Sequence, residues 1–294
     1  MLGAIFRIVY RLYQEKQMSN PTNNIPIVDL VIIIDTSPSM KDEARALSNA
    51  AENAINCAST SCPTELRVTW FGIEGTWRGT NFNQTIRNYL TKSCNVSDSK
   101  LRGRKRGQLK SAGAQEDVAR AIEDICDYFD WRENAARAIF CLGDEALEGG
   151  GEKTEREDIE AANLAIQTAK VSKVTVHTYC GISKSKFQEG IKREYQRIAS
   201  ETGGQFFTDE DSIQGFNAVL EKVICGSNPV TVSQNKASEK TNLTVEMKDD
   251  STTNQPQILA TGLEDYAYWI KTVAKEQAGK DNQKKDFRRG RIWA

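Results

Sequence analysis

Residues 28–40 read VDLVIIIDTSPSM. The β-branched run of residues 27–35 has the look of a strand buried on both faces of a parallel sheet, where apolar side chains follow one another without alternation. It stops at Asp35, and hydroxyls then follow at Ser37 and Ser39 around Pro38. Oxygens at i, i+2 and i+4 share one side only in an extended chain, because in a helix the middle residue would point away. Pro38 favours the extended form: it fixes its own φ and pushes Ser37 out of the helical region. Asp35, Ser37 and Ser39 are thereby predicted to form a shelf of hard oxygens at the carboxyl end of a strand. That donor set suits Mg²⁺, which takes about six oxygens at roughly 2.0–2.1 Å, and is compatible with Ca²⁺ or Mn²⁺.

Outward from this stretch, short apolar runs alternate with helical periodicity, the signature of a mostly parallel sheet covered on both faces. Strands are predicted at 27–35, 66–73, 83–90 (NQTIRNYL, a short edge strand), 136–145 (ARAIFCLGDE), 174–182 and 204–209. Helices are predicted at 43–58, 116–129, 155–171, 186–202 and 211–225, the second carrying Val118, Ile122, Ile125 and Phe129 on one stripe. The fold class is therefore α/β, a doubly wound, mostly parallel six-stranded sheet with helices on both faces. The polar, glycine-broken stretch 101–110 (LRGRKRGQLK) reads as a surface loop.

The chain is expected to divide into an N-terminal amphipathic helix and polar leader (1–25), the α/β domain (26–225), a flexible polar linker (226–261) and a C-terminal amphipathic helix with a basic tail (262–294). The linker is rich in Ser, Thr, Asn, Gln and Lys, and such a segment buries too little apolar surface to offset its ordering entropy. Residues 1–17 are too short and too charged to cross a bilayer, although an interfacial helix there remains an alternative to one packed on the domain.

Thirty-nine basic against forty acidic residues leave no global field that would select nucleic acid or a membrane surface. The basic stretches 101–110 and 284–291 read as a solvated loop and tail, and nucleic-acid binding is not expected. Seven cysteines, several inside apolar runs, suggest reduced buried thiols and a cytoplasmic protein; Cys57 and Cys62 could bridge or hold a metal, but no second pair lies at ligand spacing. The one histidine, His177, sits in a predicted inner strand and reads as a satisfied core residue. There is no Gly-x-Ser-x-Gly elbow and no phosphate-cradling P-loop, so no catalytic residue is assigned and the chain is not expected to be an enzyme.

Through DTSPS, the order of strands and helices, and CLGDE, residues 26–225 resemble the von Willebrand factor type A domain with its metal-ion-dependent adhesion site. The resemblance implies that one edge strand runs antiparallel and that the strands ending in Asp35 and Asp144 lie side by side, with Ser37 and Ser39 binding the cation directly and Asp35 and Asp144 acting through bound water. The family supplies a further threonine from a loop which here reads SAGAQEDVARAI and contains none. Counting back from Ile122 puts Glu116 at that position, with Gln115 behind it; a carboxylate there would favour Ca²⁺ or a closed site. The expected metal set is thus Asp35, Ser37, Ser39, Glu116 and Asp144. The implied function is a metal-dependent protein-binding module whose partner supplies an acidic residue, within an assembly such as those driven by AAA+ ATPases. The alternatives are a structural scaffold with a closed site and a metal-dependent phosphoesterase. Bland readings stand beside these: strand-end aspartates and serines also cap helices, and an acid such as Glu116 is favourable in a first helical turn.

Overall fold

A computed structural model describes residues 25–105, 113–183, 185–213 and 215–229. The expected N-terminal helix, the C-terminal helix and basic tail, and all but the first residues of the expected linker lie outside the described residues.

Five strands form one sheet: β1 (Ile27–Ile34), β2 (Glu65–Gly72), β3 (Ala136–Gly143), β4 (Val174–Cys180) and β5 (Phe206–Thr208). Their order is β2-β1-β3-β4-β5, and every pairing is parallel. The helices are α1 (Lys41–Ser61), α2 (Ile86–Lys92), α3 (Val118–Tyr128), α4 (Arg156–Ser172), α5 (Gln188–Thr202), the single turn α6 (Asp209–Ser212) and α7 (Phe216–Ser227).

Strand β1 shows why a continuous apolar run is needed at the centre. Leu30, Ile32 and Ile34 face Leu47, Ala51 and Ala54 of α1 and Val219, Leu220 and Val223 of α7. Val31 and Ile33 face the other layer, built from Val118, Ile122 and Ile125 of α3, Ala162 and Ala165 of α4, and Ile191, Tyr195 and Ile198 of α5. Each fully buried Ile or Leu contributes about 1.5–3 kcal/mol by leaving water, so the run stabilises both layers at once.

From β1 the chain crosses to β2 on one side, and β3 pairs with β1 on the other. The point between β1 and β3 where the winding reverses is where open α/β sheets leave a crevice at their carboxyl ends. Ile34 pairs with Leu142, and the Asp35 N–H donates to the Leu142 carbonyl at 2.9 Å, so the ends of β1 and β3 are level.

The expected edge strand at 83–90 is instead the end of a loop followed by most of α2. Thr85 makes one isolated parallel bridge to Gly72, and its side chain then accepts the Asn88 N–H at 3.2 Å, starting a helix. Ile86 and Leu90, four apart, are the buried pair, a helical spacing that overrides the strand reading. No antiparallel strand occurs among the described residues, and the sheet there has five strands, not six.

The expectation that all the thiols are reduced is also corrected. Cys62, at the end of α1, is bonded to Cys225 in α7, with Cα atoms 5.4 Å apart across 163 residues of chain. Cys126, Cys141 and Cys180 are free and buried, and Cys57 is free and exposed, so the Cys57–Cys62 pairing is not formed. No described helix is long and apolar enough to cross a membrane.

Candidate metal centre at the carboxyl end of the sheet

Beyond β1 the chain stays extended for one step and then turns. Ser37 has φ −63° and ψ 153°, the extended conformation expected before proline, and a short 3₁₀ turn from Pro38 to Met40 leads into α1. The Asp35 carboxylate accepts the Ser37 N–H at 2.5 Å. The Ser37 and Ser39 hydroxyls lie 2.9 Å apart, and Ser39 donates to Asp144 Oδ1 at 3.2 Å. A hydroxyl has one proton, so with Ser39 donating to Asp144 the Ser37 hydroxyl is the donor of the serine pair. Four of the five expected residues are thus linked, Asp35 through the Ser37 backbone N–H and then hydroxyl to hydroxyl to the Asp144 carboxylate, in a row that joins the tips of β1 and β3.

Burial is graded along this row. Asp35 is 1% exposed, Ser37 3% and Asp144 5%, whereas Ser39 is exposed, so the shelf opens to solvent at the second serine. Ser39 side-chain bonding runs forward to Asp144, and Ser37, the residue preceding the turn, makes no side-chain cap bond. The capping reading of these serines is therefore not what the structure shows.

The loop before α3 is brought to the site by its backbone: the Gln115 carbonyl accepts the Thr36 N–H at 3.1 Å. Arg104 and Asp117 anchor that loop through a paired bond of 2.9 and 2.7 Å. Glu116 is buried, and its carboxylate rests on Gly150. A Cβ at Gly150, whose φ is +76°, would lie on top of Glu116 Oε2 and within 2.8 Å of Glu145 Oε2, so only glycine fits there. Among the described residues no three His, Cys, Asp or Glu side chains converge as a metal cluster. Glu116 lies outside the hydrogen-bonded row formed by the other four.

The electrostatics fit a site short of positive charge. Burial, then the nearby Asp144 and Glu116 carboxylates, hold the Asp35 pKa well above the ordinary value, despite the opposing Ser37 bond. Burial lifts Asp144 to about 6, with Glu145 and Asp209 adding to it. Burial, with Glu145 and Asp144, lifts Glu116 to about 7. Glu43, half-buried on α1, is raised by burial and by Asp209 and Asp144. Glu145, Asp209 and Glu43 were not singled out from the sequence. Glu145 directly follows Asp144 and was legible as a second acid, whereas Glu43 and Asp209 reach this end only through the packing of α1 and β5.

His177 is a satisfied core residue. Its Nδ1 accepts the Gln205 N–H at 3.1 Å, which leaves Nε2 protonated to face Ser227 Oγ at 3.2 Å. Burial lowers its pKa to about 4, so at neutral pH the ring is uncharged and both nitrogens are engaged. Part of the basic stretch 101–110 is likewise committed: Arg102 pairs with Glu123 and Asp127, and Arg104 with Asp117.

No family model matches the chain, and no curated protein matches it in sequence. Solved structures give distant likenesses. Proximal thread matrix protein 1 from the mussel byssus, with a zinc-occupied MIDAS motif, is 15% identical over 68% of this chain and 46% of its own, at a TM-score of 0.39. The pilus adhesin SpaC from Lactobacillus rhamnosus GG is 13% identical over 72% and 31%, at 0.41. The TFIIH p34 N-terminal domain is 12% identical over 70% and 99%, at 0.34. The chain thus spans about half the length of the mussel protein. Likeness this distant decides neither site nor function.

Proposed function

We propose that this chain is a type A-like binding module that holds one divalent cation at the carboxyl ends of β1 and β3 and presents it to an acidic side chain of a protein partner. The observation that carries the reading is the row of oxygens from Asp35 through Ser37 and Ser39 to Asp144, placed where the winding of the sheet reverses. Ser37 and Ser39 would bind the ion directly, and Asp35 and Asp144 would hold its waters. Mg²⁺ suits two hydroxyls and water-mediated carboxylates best, with Mn²⁺ or Ca²⁺ as substitutes. The exposed Ser39 end gives the partner its approach.

The chemistry explains the raised carboxylates. Burial foremost, and then mutual repulsion, makes these acids resist ionising, and a doubly charged ion would reverse that balance. Only an ion already in place attracts a partner carboxylate strongly, so recognition depends on the metal. Membership of a larger assembly remains part of this proposal. The Cys62–Cys225 disulfide favours an oxidising compartment over the cytoplasm.

The test is recovery of binding proteins from the chain's own source in Mg²⁺ and in chelator, using the native sequence and the Ser37→Ala/Ser39→Ala double variant. Partners should be retained only by the native sequence in Mg²⁺. Partners retained equally in all four conditions, with chelator lowering only the melting temperature, would instead favour a structural scaffold.

A further inference from the structure

Tyr195 is a fully buried tyrosine of α5 whose hydroxyl has no hydrogen-bond partner among the described residues. An unpartnered buried hydroxyl is costly, and phenylalanine would fill the same space without that cost. Its position suggests what the hydroxyl is for. A Cβ at Gly143 would lie 2.2 Å from the Tyr195 hydroxyl oxygen and 3.4 Å from Val118 Cγ2. The phenol therefore occupies the space that any side chain at position 143 would need.

Strand geometry places that space beside Asp35. Ile33 of β1 and Cys141 of β3 face the layer containing α5, while Ile34 and Leu142 face the opposite layer. With a side-chain period of two, Asp35 and position 143 return to the α5 side. The register Ile34 to Leu142 makes them neighbours across the strand pair. Tyr195 is held at this depth by its own backbone, whose carbonyl accepts the Thr178 hydroxyl at 2.9 Å.

We propose that Tyr195 is a positioning residue of the cation site: with the ion bound, its hydroxyl donates a hydrogen bond from beneath the floor toward the Asp35 carboxylate. This rests on the reading of the row of oxygens as a cation site. A carboxylate that orients metal-bound water needs its remaining oxygen held, and the phenol is the donor that the fold leaves available on that side. Gly143 is then required because it makes room for this donor.

Tyr195→Phe tests the assignment. The full chain and the variant are titrated with MnCl₂ by calorimetry at pH 7, melted in chelator, and compared by near-ultraviolet difference spectra with and without Mn²⁺. The variant should bind Mn²⁺ about tenfold more weakly. It should melt in chelator no lower than the native chain, and it should lose a tyrosine difference signal that the native chain shows on Mn²⁺ addition. Native-like affinity and an unchanged signal in the variant overturn the role of Tyr195 while leaving the cation site standing. A variant that melts well below the native chain in chelator makes the hydroxyl a structural element and also overturns it. A native chain that takes up no Mn²⁺ overturns both readings.

Discussion

Ser39 is the residue on which the two strand tips meet, because its hydroxyl receives from Ser37 and gives to Asp144. Ser39→Ala should weaken divalent-cation binding at least tenfold, about 1.4 kcal/mol, as read by calorimetric titration, while leaving the metal-free fold intact since the side chain is exposed. The place of Ser39 at the strand tip was legible in the sequence, because Pro38 keeps the chain extended after a buried strand, although capping of the next helix was an equally local use for its hydroxyl. Asp29 was not. It sits inside the apolar run of β1 and is buried, where it accepts bonds from Arg67 at 3.0 and 2.8 Å and from Arg132 at 2.7 Å. Burial alone would raise its pKa, but these two guanidinium groups hold it below 3.8. Its contribution is therefore present above that value and lost as pH falls below it. Asp29→Asn should destabilise the domain by about 3 kcal/mol in denaturant melts at pH 7, because Arg67 and Arg132 lose their shared buried counter-charge and keep only the exposed Asp130 and Glu65. Its partners lie 38 and 103 residues away, and no local pattern announces them.

At the scale of elements, local periodicity carried most of the fold. The predicted helix 116–129 is Val118–Tyr128, and the predicted strand 136–145 is Ala136–Gly143. The two failures have different causes, one a local helical signal read as a strand and the other a pairing between distant segments. NQTIRNYL has strand-like composition, yet Thr85 caps it and Ile86 and Leu90 pack as a helical pair. The Cys62–Cys225 bond links two helices that share one face of the sheet, and seven cysteines offered too many pairings to choose it. Under denaturing, non-reducing conditions a thiol assay should count five free cysteines, rising to seven after reduction. The Cys62→Ser/Cys225→Ser double variant should lose about 2–5 kcal/mol of unfolding free energy in guanidinium, since the bond closes a long loop. Seven thiols in the native chain without reductant would contradict the pairing.

For the whole molecule, the charge that matters is concentrated at one end of a nearly neutral chain. Asp144 and Glu116 have folded pKa values of about 6 and about 7, above their ordinary 3.8 and 4.5. A raised acid favours the fold at low pH and withdraws that support as pH rises through the interval, so both oppose the metal-free fold at neutrality. His177 acts in the other direction: lowered to about 4, it costs stability as pH falls below 6.5. Metal-free melting temperatures should therefore respond to Asp144→Asn mainly between about pH 4 and about pH 6, with the variant gaining on the native chain as pH rises. Added Mg²⁺ should stabilise the native chain more at pH 7.5 than at pH 5, because the ligands must shed protons to bind. An equal gain at both pH values would speak against carboxylate participation. The direct measurement is calorimetric titration of the metal-free native chain with Mn²⁺ at pH 7, beside Ser37→Ala/Ser39→Ala. One ion bound per native chain and none by the variant is the expected result; no binding by the native chain, or equal binding by the variant, contradicts the assignment of the β1 and β3 tips as a cation site.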